Sequence, residues 1–145
     1  MATIKNKYIK SIAHDAGFDL CGVTHCKTLS ENYKHLHSWL QNGYGASLEY
    51  MHRNTDSRQD ATTLVEGAKT VVVCAVSYKS DISGGYGDND NCKIASYACN
   101  RDYHKSIKKM LLHLFKTLKE EYPTLEGRAF VDTAPIFEKQ YAVEA

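Results

Sequence analysis

The spacing of apolar residues along the chain predicts three amphipathic helices. The first places its apolar face on Ile4, Tyr8, Ile9, Ile12, Ala13 and Ala16, with Thr3 as N-cap and Gly17 at its end. The second is expected to begin after Ser30, to bury Leu36, Trp39 and Leu40, and to stop at Gly43. The third and longest follows Tyr103, with apolar positions at Ile107, Met110, Leu111, Leu114, Phe115 and Leu118.

Shorter apolar runs predict β-strands. Residues 18–24 form the first, in which Gly22 allows another part of the chain to approach closely. Residues 70–78 are largely apolar and β-branched, which is typical of a central strand covered on both faces. Residues 127–132 are predicted as a further strand, followed by a helix with Thr133 as N-cap and Pro135 in its first turn.

Helices that alternate with at least three strands indicate an α/β (α+β) fold, with a mixed β-sheet flanked by helices in a single domain. A length of 145 residues suits one such domain. Asp60 is expected to cap a short helical segment before the second strand, and residues 79–92 have the composition of a surface loop. Because the last helix reaches Ala145 without a stop signal, we expect residues 1–145 to be the N-terminal domain of a longer protein.

Charge and cysteine content narrow the class of protein. The chain has 18 basic and 17 acidic residues, a net charge of +1, so it has no general attraction for nucleic acid or lipid surfaces. Its five cysteines form no C-x-x-C pair and no export signal precedes them, which is typical of a cytoplasmic protein with reduced thiols. No apolar run is long enough to span a membrane. Cys21 and Cys74 lie in apolar runs and are expected to be buried.

Two polar junctions between elements are candidate sites. Asp132 is expected where a strand ends and a helix starts, a common position for ligand-binding groups, although it could equally cap that helix. A helix N-terminus favours an ionised carboxylate. Asp132 could therefore act as a proton donor near neutral pH only if a bulky ligand shielded it from water and raised its pKa.

The second junction is the start of the long helix. Asp102 is a good N-cap, but capping does not explain Tyr103 and His104, whose first-turn positions suit an anion that Arg58 and Arg101 could also bind. A zinc site is disfavoured, because the histidines and cysteines lack metal-ligand spacing. The chain has neither a P-loop nor a G-x-G-x-x-G turn after a strand.

Several motifs together resemble the N-terminal domain of epoxyqueuosine reductases. They are G-F-D-L-C-G-V at 17–23, G-A-S-L-E-Y-M at 45–51, R-Q-D-A-T-T-L-V-E-G-A-K-T-V at 58–71, V-V-V-C-A-V-S-Y at 71–78, S-Y-A-C-N-R-D-Y-H-K at 96–105 and F-V-D-T-A-P-I-F-E-K at 130–139. Each motif is loose, but their order and spacing together are fairly specific. The chain departs from the family pattern at Asn100, where glycine is usual, and at Lys139, where arginine is common.

The resemblance implies an oxidoreductase of queuosine biosynthesis that removes the epoxide oxygen from epoxyqueuosine in tRNA, using cobalamin and two 4Fe–4S clusters. Asp132 would be the proton donor. Arg58, Tyr97, Asp102, Tyr103, His104 and Lys139 would line the cofactor or substrate pocket. The cluster cysteines of the family lie in a later ferredoxin-like domain, so the chain would be inactive alone and would need an electron donor protein.

Two other functions are compatible with the sequence. The chain could be a non-catalytic module that binds a corrinoid or a tRNA loop, or it could belong to a related iron–sulfur reductase with another substrate. Loss of turnover on replacing Asp132 would favour the enzyme over the binding module, and assays on tRNA itself would distinguish the two reductases.

Overall fold

A computed structural model describes residues 4–79, 95–98 and 102–145 of the chain. Five α-helices and two β-strands follow one another in these ranges: α1 (Asn6–Asp15), β1 (Leu20–His25), α2 (Ser30–Gln41), α3 (Thr55–Gln59), β2 (Thr70–Ala75), α4 (Tyr103–Glu121) and α5 (Glu138–Glu144). Short 3₁₀ helices occupy Glu49–His52, Ala61–Thr63 and Ser96–Ala98. Thr3 and most of the predicted 79–92 loop lie outside the described residues.

The structure confirms the α/β class, with helices packed around a sheet in one small domain. In the described ranges the sheet has two strands, and β1 pairs with β2 in antiparallel register from Leu20 opposite Ala75 to His25 opposite Thr70. The strand β2 is covered on both faces, as predicted, although β1 is its one partner among the described residues.

The two faces of β2 contact different hydrophobic clusters, because side chains alternate across a strand. Val72 and Cys74 pack against the first cluster, which α1 and α4 dominate and which comprises Ile9, Ile12, Ala13, Phe18, Leu114 and Leu118. Val71 and Val73 pack against the second cluster, formed by Leu29, Ala61 and Tyr141 with Ile136 and Phe137 beside it. The sheet therefore separates a larger core from a smaller one that holds α5.

The predicted third strand is wrong. Residues 127–132 are irregular, and the last helix begins at Glu138, after Phe137 as N-cap, instead of after Thr133. The backbone of Asp132 has φ of +49°, a left-handed conformation that a β-strand cannot contain. Asp132 therefore neither ends a strand nor caps a helix.

The ends of the other elements follow their local sequence. Gly17 ends the first helical segment with φ of +97°, a conformation that glycine adopts without steric cost. Asp60 caps the 3₁₀ helix that follows it, since its Oδ1 accepts a hydrogen bond of 2.9 Å from the N–H of Thr62. Within α2, Leu36 is buried while Trp39 and Leu40 are partly buried.

Gly22 lies in β1 where the end of the chain crosses it. A Cβ atom placed on Gly22 would come within 2.5 Å of the Ala145 Cβ and 2.8 Å of its carbonyl carbon. The close approach expected at this glycine is therefore made by the residue that follows α5.

None of the helices in the described ranges combines the length and apolar character needed to cross a membrane.

Candidate functional site

The first turn of α4 is held by Asp102. Its Oδ1 accepts a hydrogen bond of 3.1 Å from the backbone N–H of His104 and lies 3.1 Å from the imidazole Nδ1 of the same residue. Asp102 is thus the N-cap of α4, and its carboxylate occupies part of the anion site expected there. The Lys105 ammonium lies 3.9 Å from the other carboxylate oxygen of Asp102.

Tyr103 joins the two polar junctions into one site. Its Oη donates a hydrogen bond of 2.6 Å to Oδ2 of Asp132, which is 29 residues away in the sequence. This bond, followed by desolvation and the charge of Asp132, raises the pKa of Tyr103 to about 12. The phenol therefore stays protonated and remains a donor throughout the physiological pH range.

A second contact holds the backbone of Asp132. Its N–H donates a hydrogen bond of 3.2 Å to Oε1 of Glu138, the first residue of α5. Left-handed backbone is uncommon at residues other than glycine, and aspartate is among those that tolerate it best. The left-handed backbone of Asp132 in this polar cluster matches the tendency of strained backbone to occur at functional sites.

Glu138 is part of the site although the sequence did not single it out. Its side chain is half-buried, and burial raises its pKa, with the negative charge of Asp132 and direct contact with that carboxyl group acting in the same direction. The two residues are six positions apart in the sequence, a spacing that predicts contact in neither a helix nor a strand. No signal at the sequence level would have identified this pair.

Aromatic rings extend from Asp132 across the surface. Tyr78 and Tyr97 meet edge to face at a centroid distance of 6.1 Å, and Tyr97 meets Tyr103 in the same way at 6.1 Å. These three residues, the tyrosine row, include two that are largely solvent-exposed, Tyr78 at 63% and Tyr97 at 50%. The imidazole of His104 stacks on the ring of Tyr103 at 4.1 Å. Tyr78 was not among the residues predicted from sequence.

Two predicted residues have no direct bond to this network. Among the described residues, neither Arg58 nor Lys139 makes a hydrogen bond or ion pair with Asp132 or Tyr103. Arg58 lies in α3, and its Nε is shielded from solvent without a hydrogen-bond partner in the described part of the chain. Lys139 is exposed in the first turn of α5. Arg101 lies outside the described residues.

A groove of about 430 Å³ lies beside the site, between α4 and residues 127–135. Its apolar wall includes Phe115, Phe130 and Pro135, and its polar wall includes Lys108 and Arg128. The groove reaches Thr133, but Asp132 is not among its lining residues. The Asp132 side chain is exposed, so the described part of the protein does not itself shield that carboxyl from water.

The cysteines and histidines show no metal-binding arrangement in the ranges the structure describes, where no group of three metal-ligating side chains is found. Cys21 and Cys74 are cross-strand neighbours with their Sγ atoms 3.9 Å apart. Burial raises the pKa of Cys74 to about 12, so its thiol is a poor nucleophile. Cys92 and Cys99 lie outside the described residues.

The fold and the site together define an α/β domain that presents an exposed carboxyl, backed by a tyrosine and a glutamate, beside a row of aromatic rings. The family described as "Epoxyqueuosine reductase QueG, DUF1730" matches residues 58–133, just over half of the chain and a range that contains both Tyr103 and Asp132. The chain belongs to this family.

Comparison with curated proteins agrees with the family match. The chain is 40% identical over its whole length to an epoxyqueuosine reductase from Cyclobacterium marinum, and 38% identical over 97% of its length to one from Leadbetterella byssophila. It spans 47% and 45% of these two relatives, so it corresponds to less than half of either protein.

A solved structure shares the fold. The epoxyqueuosine reductase from Streptococcus thermophilus superposes with a TM-score of 0.77 at 23% identity, over 90% of this chain and 35% of that one. The predicted resemblance to epoxyqueuosine reductases is therefore confirmed at the level of the family and the fold.

Proposed function

We propose that the chain is the cofactor- and substrate-facing N-terminal part of an epoxyqueuosine reductase that acts on tRNA carrying epoxyqueuosine. The hydrogen bond between Tyr103 and Asp132 is the observation that carries this proposal. It brings the D-Y-H and V-D-T-A-P motifs, on which the resemblance depends, into one exposed polar site. The reaction would take place in the cytoplasm, and an electron donor protein would supply the reductant.

The residues around Asp132 fit a large flat cofactor such as cobalamin. The tyrosine row beside Asp132 offers exposed aromatic surface. Arg58, in α3 and not bonded to this network, has a shielded Nε without a hydrogen-bond partner in the described part of the chain. Arg58, Tyr97, Asp102, Tyr103, His104 and Lys139 are the residues we propose to hold the cofactor or the substrate. When bound, cobalamin would supply reducing electrons to the epoxide, and two 4Fe–4S clusters in the remainder of the protein would deliver them.

Asp132 would give its proton to the epoxide oxygen as that oxygen leaves. Because the Asp132 side chain is exposed, a ligand lying over it could exclude water and raise its pKa. The acid would thus become protonated when the site is filled, while Tyr103 keeps its oxygen oriented.

Replacing Asp132 by asparagine in the full-length protein tests this assignment. Asp132→Asn keeps the shape of the side chain but has no proton to donate, so turnover of epoxyqueuosine tRNA should fall by about 10²-fold or more. The corrinoid and cluster absorbance bands should be unchanged. Asp15→Asn, at the exposed end of α1, is a matched control that should retain full turnover.

Full turnover by Asp132→Asn would refute the proton-donor role. If the protein bound a corrinoid or tRNA but no preparation turned over, the chain would instead be part of a non-catalytic binding module. Reduction of another substrate in place of epoxyqueuosine tRNA would indicate a related reductase.

A further inference from the structure

Glu138 and Asp132 form a pair of carboxyl groups with unequal surroundings. The Glu138 side chain is half-buried at the start of α5, whereas that of Asp132 is exposed. The N–H of Asp132 donates to Oε1 of Glu138 over 3.2 Å, and the carboxyl group of Asp132 also lies in contact with that of Glu138. Two carboxylates in contact cannot both ionise as easily as either alone.

The groups around the pair determine which member retains a proton longer. Asp132 faces Glu138 from the segment before α5 and supplies the negative charge that acts on it. Tyr103 approaches from α4 and donates a hydrogen bond to Asp132, while the N–H of Asp132 donates to Glu138 and partly offsets the rise in the pKa of Glu138. Lys139 follows on α5 but is exposed and makes no ion pair with either carboxyl in the described residues. Because Glu138 is half-buried and Asp132 is exposed, Glu138 holds the last proton better as long as no ligand covers Asp132.

From this geometry we propose that Glu138 is a positioning residue and proton reserve for Asp132, fixing its left-handed backbone and returning a proton to its carboxylate. This role rests on the proposed function of Asp132 as proton donor. It adds a residue from α5 to a site otherwise formed by α4 and the segment that contains Asp132.

The proposed transfer is a simple exchange of protons. The O–H bond of Asp132 breaks as its proton passes to the leaving oxygen, and Asp132 becomes a carboxylate. While the ligand still covers Asp132 and makes it the more basic of the two carboxylates, the O–H bond of Glu138 breaks, its proton forms a new O–H bond on Asp132, and Glu138 is left as a carboxylate. A proton from the solvent then forms a new O–H bond on Glu138 from the half-exposed side of the residue, so the net proton consumed comes from the solvent. The transfer changes no oxidation state.

The pH dependence of turnover in the full-length protein tests the reserve. The native pair of carboxyl groups loses its second proton at a higher pH than an isolated carboxyl group would. Glu138 can therefore return protons to Asp132 up to that pH. Glu138→Gln keeps an oxygen that can accept from the Asp132 N–H but cannot supply a proton. The alkaline limb of the pH profile of Glu138→Gln should therefore lie about 1 pH unit below that of the native protein, and at pH values above this limb turnover should be about 10-fold lower than native. Glu144→Gln, on the same helix and bonded to Gln140 and Lys27, should have the native profile.

Infrared spectroscopy provides a readout that requires neither cofactor nor substrate. The native protein should show a protonated-carboxyl band that persists to higher pH than the other carboxyl groups. Glu138→Gln should remove this late component, Asp132→Asn should shift it to lower pH, and Glu144→Gln should leave it in place. Persistence of the native late component in Glu138→Gln would overturn the proposal.

The outcomes separate the two proposals. Full turnover by Asp132→Asn refutes the proton-donor role, and the proton reserve is refuted with it. Loss of turnover in Asp132→Asn, together with a native pH profile in Glu138→Gln, refutes the reserve alone. A shifted profile and a missing late band in Glu138→Gln support both.

Discussion

Asp132 presents its carboxyl from a backbone conformation that few residues other than glycine adopt. Two hydrogen bonds hold it, one from the Tyr103 phenol to its side chain and one from its own N–H to Glu138. The two partners belong to different helices, so the position of this carboxyl depends on how α4 and α5 pack. A small shift of either helix would move the proposed acid relative to its substrate.

Tyr103 should lose its proton unusually late. Because its pKa is raised to about 12, its bond to Asp132 contributes to stability fully below pH 10.0, the ordinary tyrosine value, and the contribution is lost as pH rises towards 12. Ultraviolet titration of tyrosinate absorbance should show a late component that is smaller in Tyr103→Phe. Tyr141, with a pKa also raised to about 12, contributes to the remainder, as do Tyr8 and Tyr122, whose pKa values are raised by the bond to Glu121 and by desolvation respectively.

The exposed Tyr44 provides the control for that titration, since it is 67% exposed. Tyr44→Phe should leave the late component at its native size. An equal late component in Tyr103→Phe and the native protein would show that the bond to Asp132 does not form in solution.

At the level of elements, the helices were predictable because a buried face leaves a regular pattern in the sequence. The apolar spacing after Tyr103 predicted α4, and the spacing before Gly17 predicted α1. Residues 127–132 have a strand-like composition but make no ladder in the described structure. Strand formation needs a partner of matching register, and the local pattern does not specify one.

The candidate site was predictable only in part, for a related reason. The sequence placed Tyr103 and Asp132 at junctions, yet their contact depends on the length of α4 and on the path of the chain after it. Glu138 and Tyr78 join the site through tertiary packing and leave no periodic signal. The roles assigned to all the candidate site residues, Arg58 and Lys139 included, remain predictions.

The N-cap of α4 gives a prediction about the stability of the protein. Asp102→Ala removes the acceptor for the His104 N–H and should lower the free energy of unfolding by about 1 kcal/mol. Asp102→Asn can still accept that bond and should lower the free energy of unfolding by only about 0.3 kcal/mol. Urea unfolding measures both. An equal loss in the two variants would indicate that the charge of Asp102, not its capping bond, stabilises α4.

On the scale of the whole molecule, the smaller core holds the site together. Tyr141 is only 1% exposed, and its Oη donates a hydrogen bond of 3.0 Å to the carbonyl oxygen of Lys27. It packs near Ile136 and Phe137, which directly precede Glu138. The second cluster therefore determines where α5 starts, and through Glu138 it supports the backbone of Asp132.

Removing the Tyr141 hydroxyl should destabilise the second cluster without creating a large cavity in it. Tyr141→Phe leaves the Lys27 carbonyl without its donor and should lower the free energy of unfolding by about 1–2 kcal/mol in denaturant titration. Tyr50→Phe, at a residue 58% exposed, is the matched control and should change stability by less than about 0.5 kcal/mol. A loss no larger than that of the control would mean that the buried hydroxyl contributes little to holding α5.

Because Gly22 has no side chain, β1 comes into direct contact with the end of the helix that carries Glu138. The backbone of Ala145 lies against it in β1, and Ala145 directly follows the helix that begins with Glu138. A methyl group at position 22 would push on the far end of that helix, and the displacement would pass along α5 to the carboxyl pair. Gly22 thus leaves room for the residue that follows α5, the helix whose first residue accepts a hydrogen bond from the proposed acid.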